Sequence, residues 1–440
     1  MSIPPPPSSG PTGRHRELPP GLSDRLPPEA ARLLAAREAC LRTLMRWGYL
    51  PVVPPLLEHV EVFEPALPQP EADTALYRFV DRLTGHVLAI RSDFTPQIAR
   101  LAGTRFGRAT LPLRLCYEGP VVRHVPDRRG RSREIPQVGA ELLGVQDPEA
   151  DAEGIALLIA CLREAGLEAF KVDLGQVEFF RGLVGDLDVP PEALADLRDA
   201  VARKDVSDLE RLLARLPVPP ERKQVLGELP LLAGGVEVLD RAAGLVQPEH
   251  SRRALENLRR VVELVDVHGL VDYLTLDLGE IRGIDYHTGV IYETFVPHLG
   301  SPVCRGGRYD RLCGVYGRDL PATGFSMDLA ALLTALGARE GPRAAGRPEG
   351  VFIINFAPER TRALRLARAL RGAGVRAARD LIRRPLDDSL EHARLQGFRW
   401  AAVIDPSTAP QGALRWVDLS TGHEEIVPEA EAVGRANTEE

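Results

Sequence analysis

Between Glu280 and Gly317 the chain reads EIRGIDYHTGVIYETFVPHLGSPVCRGGRYDRLCGVYG. Its centre, GVIYETF, alternates with period two, the pattern of a strand with two unlike faces. A glycine-punctuated polar cluster stands on each side. Arg282, Gly283, Asp285, Tyr286 and His287 precede the strand, and the turn Arg305-Gly306-Gly307-Arg308-Tyr309-Asp310 follows it. Glycine beside a charged residue lets backbone approach a ligand closely, while Arg and Tyr supply donors and an aromatic face. A lone Gly-Gly pair is usually a hairpin loop with solvated neighbours. Two such clusters on one strand shift the balance toward a binding site, and the rest of the chain decides between the two.

At 440 residues, 44% hydrophobic and 27% charged, the chain has the balance of a soluble globular protein of two or three domains. A net charge of -7 argues against a polyanion as main partner. No apolar run approaches a membrane span. Residues 1–20 read as a disordered Pro-rich arm without the apolar core of a signal peptide. Cys40, Cys116, Cys161, Cys304 and Cys313 form no CxxC pair, so neither a zinc site nor a disulfide framework is expected. A cytoplasmic location fits.

Taken in order, PPEAARLLAAREACLRTLMRWG from Pro27 has helical spacing and ends on Gly48, followed by an extended segment that Pro54-Pro55 confines to an edge or interface. Residues 76–92 alternate around Thr84-Gly85 as a hairpin. The string DFTPQIAR opens a helix with Thr95 as N-cap and Pro96 at its first position. Residues 112–144 read as two strands around a loop that crowds Arg123, Arg128, Arg129, Arg131 and Arg133 together, a solvated tip or an anion-binding one. Alternation puts Gln137, Gly139 and Glu141 on one face of the second strand, where an amide and a carboxylate can hold an ammonium group. Asp147 to Gly166 reads as an amphipathic helix and about 188–268 as a helical insertion. The principal domain spans 21–336, and 337–348 is a Gly/Arg/Pro linker. Residues 349–430 repeat strand and helix as a small parallel-sheet α/β domain without a phosphate-loop signature, and 431–440 is a tail.

These segments, in this order, resemble class II histidyl-tRNA synthetase over nearly the whole chain. Residues 27–58 resemble its dimer-forming first motif, 114–144 the second, and 322–333 stand in place of the third. RGIDYHTGVIYE and CRGGRYDRLCG are similar to its two histidine signatures. The resemblance implies an α+β fold: a six- to seven-stranded antiparallel sheet flanked by helices, with an anticodon-binding-like C-terminal domain, in a chain that is at least a dimer. Carried over residue by residue, Asp93, Gln137 and Glu141 would face the ammonium of L-histidine, with Thr95 in the same histidine-binding set. Arg123 and Arg282 would face carboxylate or phosphate oxygens, and Tyr286, His287 and Tyr309 would surround the imidazole. His287 stands where the synthetases usually have Tyr, and Asp93 where they have Glu.

Three further departures bear on activity. The Arg–Glu pair of the second motif is here Arg123 and Val125, and GFSMDLAALL puts Asp328 at a motif-three Gly and Ala330-Ala331 at its Glu-Arg. Amino-acid activation depends on neutralising phosphate charge, so these losses argue that ATP is no longer a ligand. The strings RSDFTPQIAR and GFSMDL resemble another family, the regulatory subunit of short-form ATP phosphoribosyltransferase, in the first step of histidine biosynthesis. That resemblance implies a non-catalytic subunit without a cofactor, L-histidine as regulatory ligand, a short catalytic subunit as partner, and feedback inhibition by histidine. Members often stop after the synthetase-like core. An active histidyl-tRNA synthetase is the alternative. Between Val351 and Val427 acidic residues nearly offset arginine, lysine is absent and the aromatics sit within apparent strands, so tRNA binding is not expected.

Overall fold

The structure is a computed structural model that describes residues 17–66, 76–124, 132–281, 286–337 and 349–437. These fall into two units, which divide between residues 342 and 343.

The first unit opens with α1 (Glu29–Arg46), whose Ala36, Ala39, Cys40, Thr43 and Leu44 recur at helical spacing and are buried. It stops at Gly48, whose φ of +84° satisfies the left-handed C-terminal position. The short edge strand β1 (Leu50–Pro51) follows. Next come β2 (Leu57–His59), β3 (Arg78–Val80) and β4 (Val87–Ile90), which pair as a separate antiparallel sheet in the order β2-β4-β3. After α2 (Thr95–Thr104), β5 (Leu113–Val122) and β6 (Glu134–Leu143) pair over ten residues each, Leu113 against Leu143 through Val122 against Glu134.

Helix α3 (Pro148–Glu164) is capped by Asp147, whose Oδ1 accepts the Glu149 N–H at 3.0 Å. It is buried nearly all round and is not amphipathic: Ile155, Leu157, Leu158, Ile159 and Leu162 point in several directions and are all enclosed. Strand β7 (Lys171–Gln176) and α4 (Val177–Val184) lead into α5 (Pro191–Ala202), α6 (Val206–Arg215), α7 (Pro220–Glu228), β8 (Ala233–Gly234), α8 (Val238–Leu245) and α9 (Glu249–Val267). Helix α9 packs on α3 and α4, so the last helix of the stretch read as an insertion belongs to the main core.

The remaining strands of the unit are β9 (Leu274–Asp277), β10 (Val290–Phe295), β11 (Cys304–Arg308) and β12 (Ala322–Asp328), with α10 (Leu312–Val315) and α11 (Leu329–Leu336). The main sheet has nine strands in the order β1-β5-β6-β12-β11-β10-β7-β9-β8. The central six are antiparallel, in line with a synthetase-like sheet, while β1 joins β5 and β9 joins β7 in parallel.

Arg305-Gly306-Gly307-Arg308 is not a turn, because it lies inside β11. Close packing requires its glycines: a Cβ at Gly306 would lie 2.4 Å from the Tyr292 ring. At the end of β11 the Arg308 side chain is buried against α3. Its Nη2 lies 2.9 Å from Asp151 Oδ2, and its Nη1 donates to the Val145 carbonyl and to Asp310.

The second unit runs β13 (Val351–Asn355), α12 (Thr361–Gly372), β14 (Ala377–Arg379), α13 (Leu386–Leu395), β15 (Trp400–Ile404), β16 (Ala413–Asp418), β17 (Glu424–Pro428) and α14 (Ala432–Asn437). Its sheet order is β14-β13-β15-β16-β17, parallel through the first three strands and antiparallel beyond. Val351 and Ile353 face α12, and Phe352 and Ile354 face α13. Phe352, Phe398 and Trp416 are buried, whereas Phe356 is exposed and outside the core. Residues 431–437 are not a loose tail: Ala432 is fully buried and Val433 and Ala436 pack beside it. At the other end residues 17–20 are ordered, and the Gly21 carbonyl accepts the Arg133 N–H at 2.8 Å.

Removing one partner of a buried ion pair strands the other charge. Asp151→Ala should therefore cost about 3–5 kcal/mol in urea unfolding. A loss under about 1 kcal/mol would contradict the role given to this pair.

Candidate functional site

Glu141, in the middle of β6, is 1% exposed. Three hydroxyls from three elements converge on its carboxylate. Thr95 Oγ1 of α2 donates at 2.8 Å and Tyr117 Oη of β5 at 3.2 Å to Oε1, and Tyr309 Oη donates at 2.6 Å to Oε2. Room for the carboxylate comes from glycine opposite it. Gly324 of β12 pairs with Glu141, and a Cβ there would lie 1.6 Å from Oε2. Burial nonetheless dominates over the three donors and pushes the Glu141 pKa up to about 8.

The helix start differs from the reading of DFTPQIAR. Thr95 is the first residue of α2 and Pro96 the second, Phe94 holds the cap position, and the Thr95 hydroxyl goes to Glu141 instead of a backbone amide. Asp93 Oδ1 accepts the Thr95 N–H at 3.3 Å in its place. Gln137, on the same face of β6 as Glu141, is buried, and its Oε1 has no partner among the described residues.

Tyr286 stacks on Tyr309 with centroids 5.5 Å apart, and His287 meets Tyr286 edge-on at 4.8 Å. Burial pushes the His287 pKa down to about 4, so its ring is neutral. Arg123, just past β5, donates from Nε to the Ser92 carbonyl at 2.9 Å and lies 3.5 Å from Asp93 Oδ2. Asp93, Thr95, Arg123, Gln137, Glu141, Tyr286, His287 and Tyr309 thus line one cleft of about 860 Å³. Arg282 and Val125 lie outside the described residues.

The far end of the cleft is bounded by Arg25, Arg32, Arg305, Asp328, Ala330 and Ala331. Asp328 is not the unanswered charge that its neighbours in sequence suggest. Its Oδ1 accepts the N–H groups of Ala330 at 2.8 Å and Ala331 at 3.0 Å, so it caps α11. The helix N-terminus, a natural seat for a phosphate, is taken by the chain's own carboxylate. No cluster of His, Cys, Asp and Glu among the described residues is arranged to hold a metal ion.

Tyr117, Arg25 and Arg32 were not anticipated. Tyr117 had a signal: Gly139 interrupts the alternation of β6 directly opposite it, and a Cβ there would lie 2.4 Å from its hydroxyl. Arg25 comes from a segment without pattern, and Arg32 lies within the helical pattern of α1, where nothing distinguishes it from the other surface arginines.

The raised pKa of Glu141 has a signed consequence. The folded chain keeps a proton that the unfolded chain releases near 4.5, so this group's stabilisation is present at low pH and is lost as pH rises toward about 8. Between pH 4.5 and 8 wild type should lose about 2–4 kcal/mol relative to Glu141→Gln, read from paired urea titrations. Parallel stability curves for the two proteins would contradict it.

Comparison with known proteins shows the family. The family model described as histidyl-tRNA synthetase matches residues 21–332, and that of the anticodon binding domain matches 350–438. A protein named ATP phosphoribosyltransferase regulatory subunit from Syntrophotalea carbinolica is 45% identical over 411 residues, 93% of this chain and 95% of its own length. One of the same name from Geobacter sulfurreducens is 40% identical over 94% of each chain. A match of 411 residues cannot be accommodated before residue 349, so such relatives extend into the second unit and do not all stop after the core. A Bacillus halodurans structure described as an ATP phosphoribosyltransferase regulatory subunit/histidyl-tRNA synthetase superimposes with a TM-score of 0.77 at 30% identity, over 88% of this chain and 97% of that one. A Nostoc histidyl-tRNA synthetase, at 22% identity over 96% of this chain and 98% of its own, shares the fold with a TM-score of 0.80. On its sequence and its sheet, the chain belongs to the ATP phosphoribosyltransferase regulatory subunit family, whose fold is that of histidyl-tRNA synthetase.

Proposed function

We propose that the chain is the regulatory subunit of a short-form ATP phosphoribosyltransferase in the first step of histidine biosynthesis, that it has no catalytic activity or cofactor of its own, and that L-histidine binds its cleft as a feedback ligand. The observation that carries this reading is the contrast between the two ends of the cleft. At one end Glu141 offers a carboxylate to an ammonium, beside Asp93 and three aromatic rings, and Gln137, which pairs with Asp328 across β6 and β12, adds an unpaired amide oxygen between the two ends. At the other, Asp328 occupies the α11 amides and Ala330 and Ala331 bring no charge. An amino acid is provided for, and a triphosphate is not.

Partner and location follow from the same reading. The catalytic subunit is the expected partner, and no helix among the described residues is long and apolar enough to cross a membrane. Leu50, Val53 and Leu57, in the segment resembling the dimer-forming motif, are exposed, with Val53 at 93%, which favours at least a dimer. In the second unit Phe352, Phe398 and Trp416 are core residues and unavailable for base stacking, which supports docking over anticodon reading.

Co-expression with a short catalytic subunit tests the proposal. A stable complex should form, only the complex should be fully active, and histidine should inhibit it. Glu141→Ala should weaken histidine binding by about 1.5–3 kcal/mol, the usual value of a charge-assisted hydrogen bond, and inhibition should weaken in parallel. A catalytic subunit fully active alone, or inhibition unchanged in the variant, would overturn it.

A further inference from the structure

Arginine and acid nearly balance over the second unit as a whole, but they are not mixed on its surface. From Val351 to Arg384 the exposed ionic side chains are Arg360, Arg365, Arg368, Arg371, Arg376 and Arg383, against Glu359. From Pro385 to Asn437 they are Asp387, Asp388, Glu391, Glu424 and Glu431, against Arg394. The half built from β13, α12 and β14 is therefore basic, in a chain whose net charge is -7.

The same half carries apolar side chains into solvent at one end of its sheet. Strands β13 and β14 are parallel with Ile353 opposite Arg379, and Phe356 and Ile382 lie equally far past that pair, so both leave the sheet at the same end. Phe356 is 41% exposed, and Leu381 and Ile382 are each 67% exposed. These residues sit on turns that the fold holds in place. Asp380 accepts the Ile382 N–H at 3.0 Å and the Ser389 hydroxyl at 2.7 Å and pairs with Arg384 at 3.2 Å, so its charge is spent within the turn. Asn355 accepts the Ala357 N–H at 3.1 Å and donates to the Glu359 carbonyl at 3.1 Å. Apolar groups pinned in solvent lose little freedom when something covers them, which suits a binding surface better than a loose loop. Arg360 and Arg383 follow these turns in sequence, and neither is in an ion pair with a described residue.

We propose that this end of the second unit, Phe356, Leu381 and Ile382 flanked by Arg360 and Arg383, docks the catalytic subunit on a face where apolar residues are bordered by carboxylates. The proposal rests on the regulatory-subunit reading above and gives that partner a contact site. Charge selects the partner's face. Guanidinium groups beside an apolar centre favour carboxylates at the rim, disfavour other arginines and speed encounter with an acidic surface. Nucleic acid is the poorer match, because Leu381 and Ile382 put branched apolar groups where phosphates would lie and Phe398 and Trp416 are buried.

The test uses the full chain and a short catalytic subunit, with the dissociation constant of the complex read by sedimentation. Leu381→Glu combined with Ile382→Glu should weaken the complex about tenfold or more, while histidine binding and the melting temperature stay at wild-type values. Arg383→Glu should weaken it about threefold or more and flatten its dependence on salt. Leu395→Glu is the control: that residue is 51% exposed at the end of α13, which is the opposite end of the unit, and its replacement should change binding less than about twofold. An unchanged constant in the double variant, or an equal loss in the Leu395 variant, would overturn the docking surface and leave the regulatory reading standing. An unchanged constant accompanied by loss of RNA binding would assign this end to nucleic acid instead. Failure of the wild-type chain to form any complex would overturn both.

Discussion

A carboxylate buried in the middle of a sheet is the constraint around which the first unit is arranged. Glu141 is enclosed by β5, β12 and α2, and each gives something up to admit it. Thr95 turns its hydroxyl inward when it could cap its own helix, Tyr117 and Tyr309 bring phenols into an otherwise apolar sheet, and β12 carries a glycine where any side chain would collide. Burying a charge this deeply is tolerated only with partners, and even three leave the group easier to protonate than an ordinary glutamate. A ligand cation beside it would restore the missing charge. An ammonium is the group that such a site suits.

The same chain closes the other half of the cleft by an equally local device. Asp328 ends β12 and folds back on the first amides of α11. A free helix N-terminus with an arginine beside it would suit a phosphate. Here the aspartate supplies the negative charge intramolecularly and Ala331 supplies none. One strand therefore runs from the residue that makes room for Glu141, Gly324, to the residue that fills the phosphate end, Asp328, within four positions. The glycine that admits Glu141 and the aspartate that caps α11 thus lie on the same strand.

Much of this was legible in the sequence. Period-two alternation placed Gln137 and Glu141 on one face, and the ordered signatures identified the sheet and the aromatic wall of Tyr286, His287 and Tyr309. What the sequence did not disclose has a common physical origin, long-range packing. Gly306-Gly307 looks like a turn until Tyr292 and His287 are seen against it, and Thr95 looks like a cap until Glu141 arrives from 46 residues away. Asp328 looks like an unanswered charge because backbone amides leave no mark in a one-letter string. Helix α3 looks two-faced because small residues such as Ala150 and Ala156 do not declare which side they cover, whereas its neighbours α1 and α9 enclose it.

The central claim is that this cleft receives an amino acid without activating it. Histidine-dependent ATP–pyrophosphate exchange by the purified chain tests that most directly. The account predicts exchange at background with histidine and magnesium–ATP both saturating, and no rescue by Ala331→Arg while Asp328 still caps α11. Exchange above background, dependent on histidine and lost in Glu141→Ala, would show a working activation site and contradict the account.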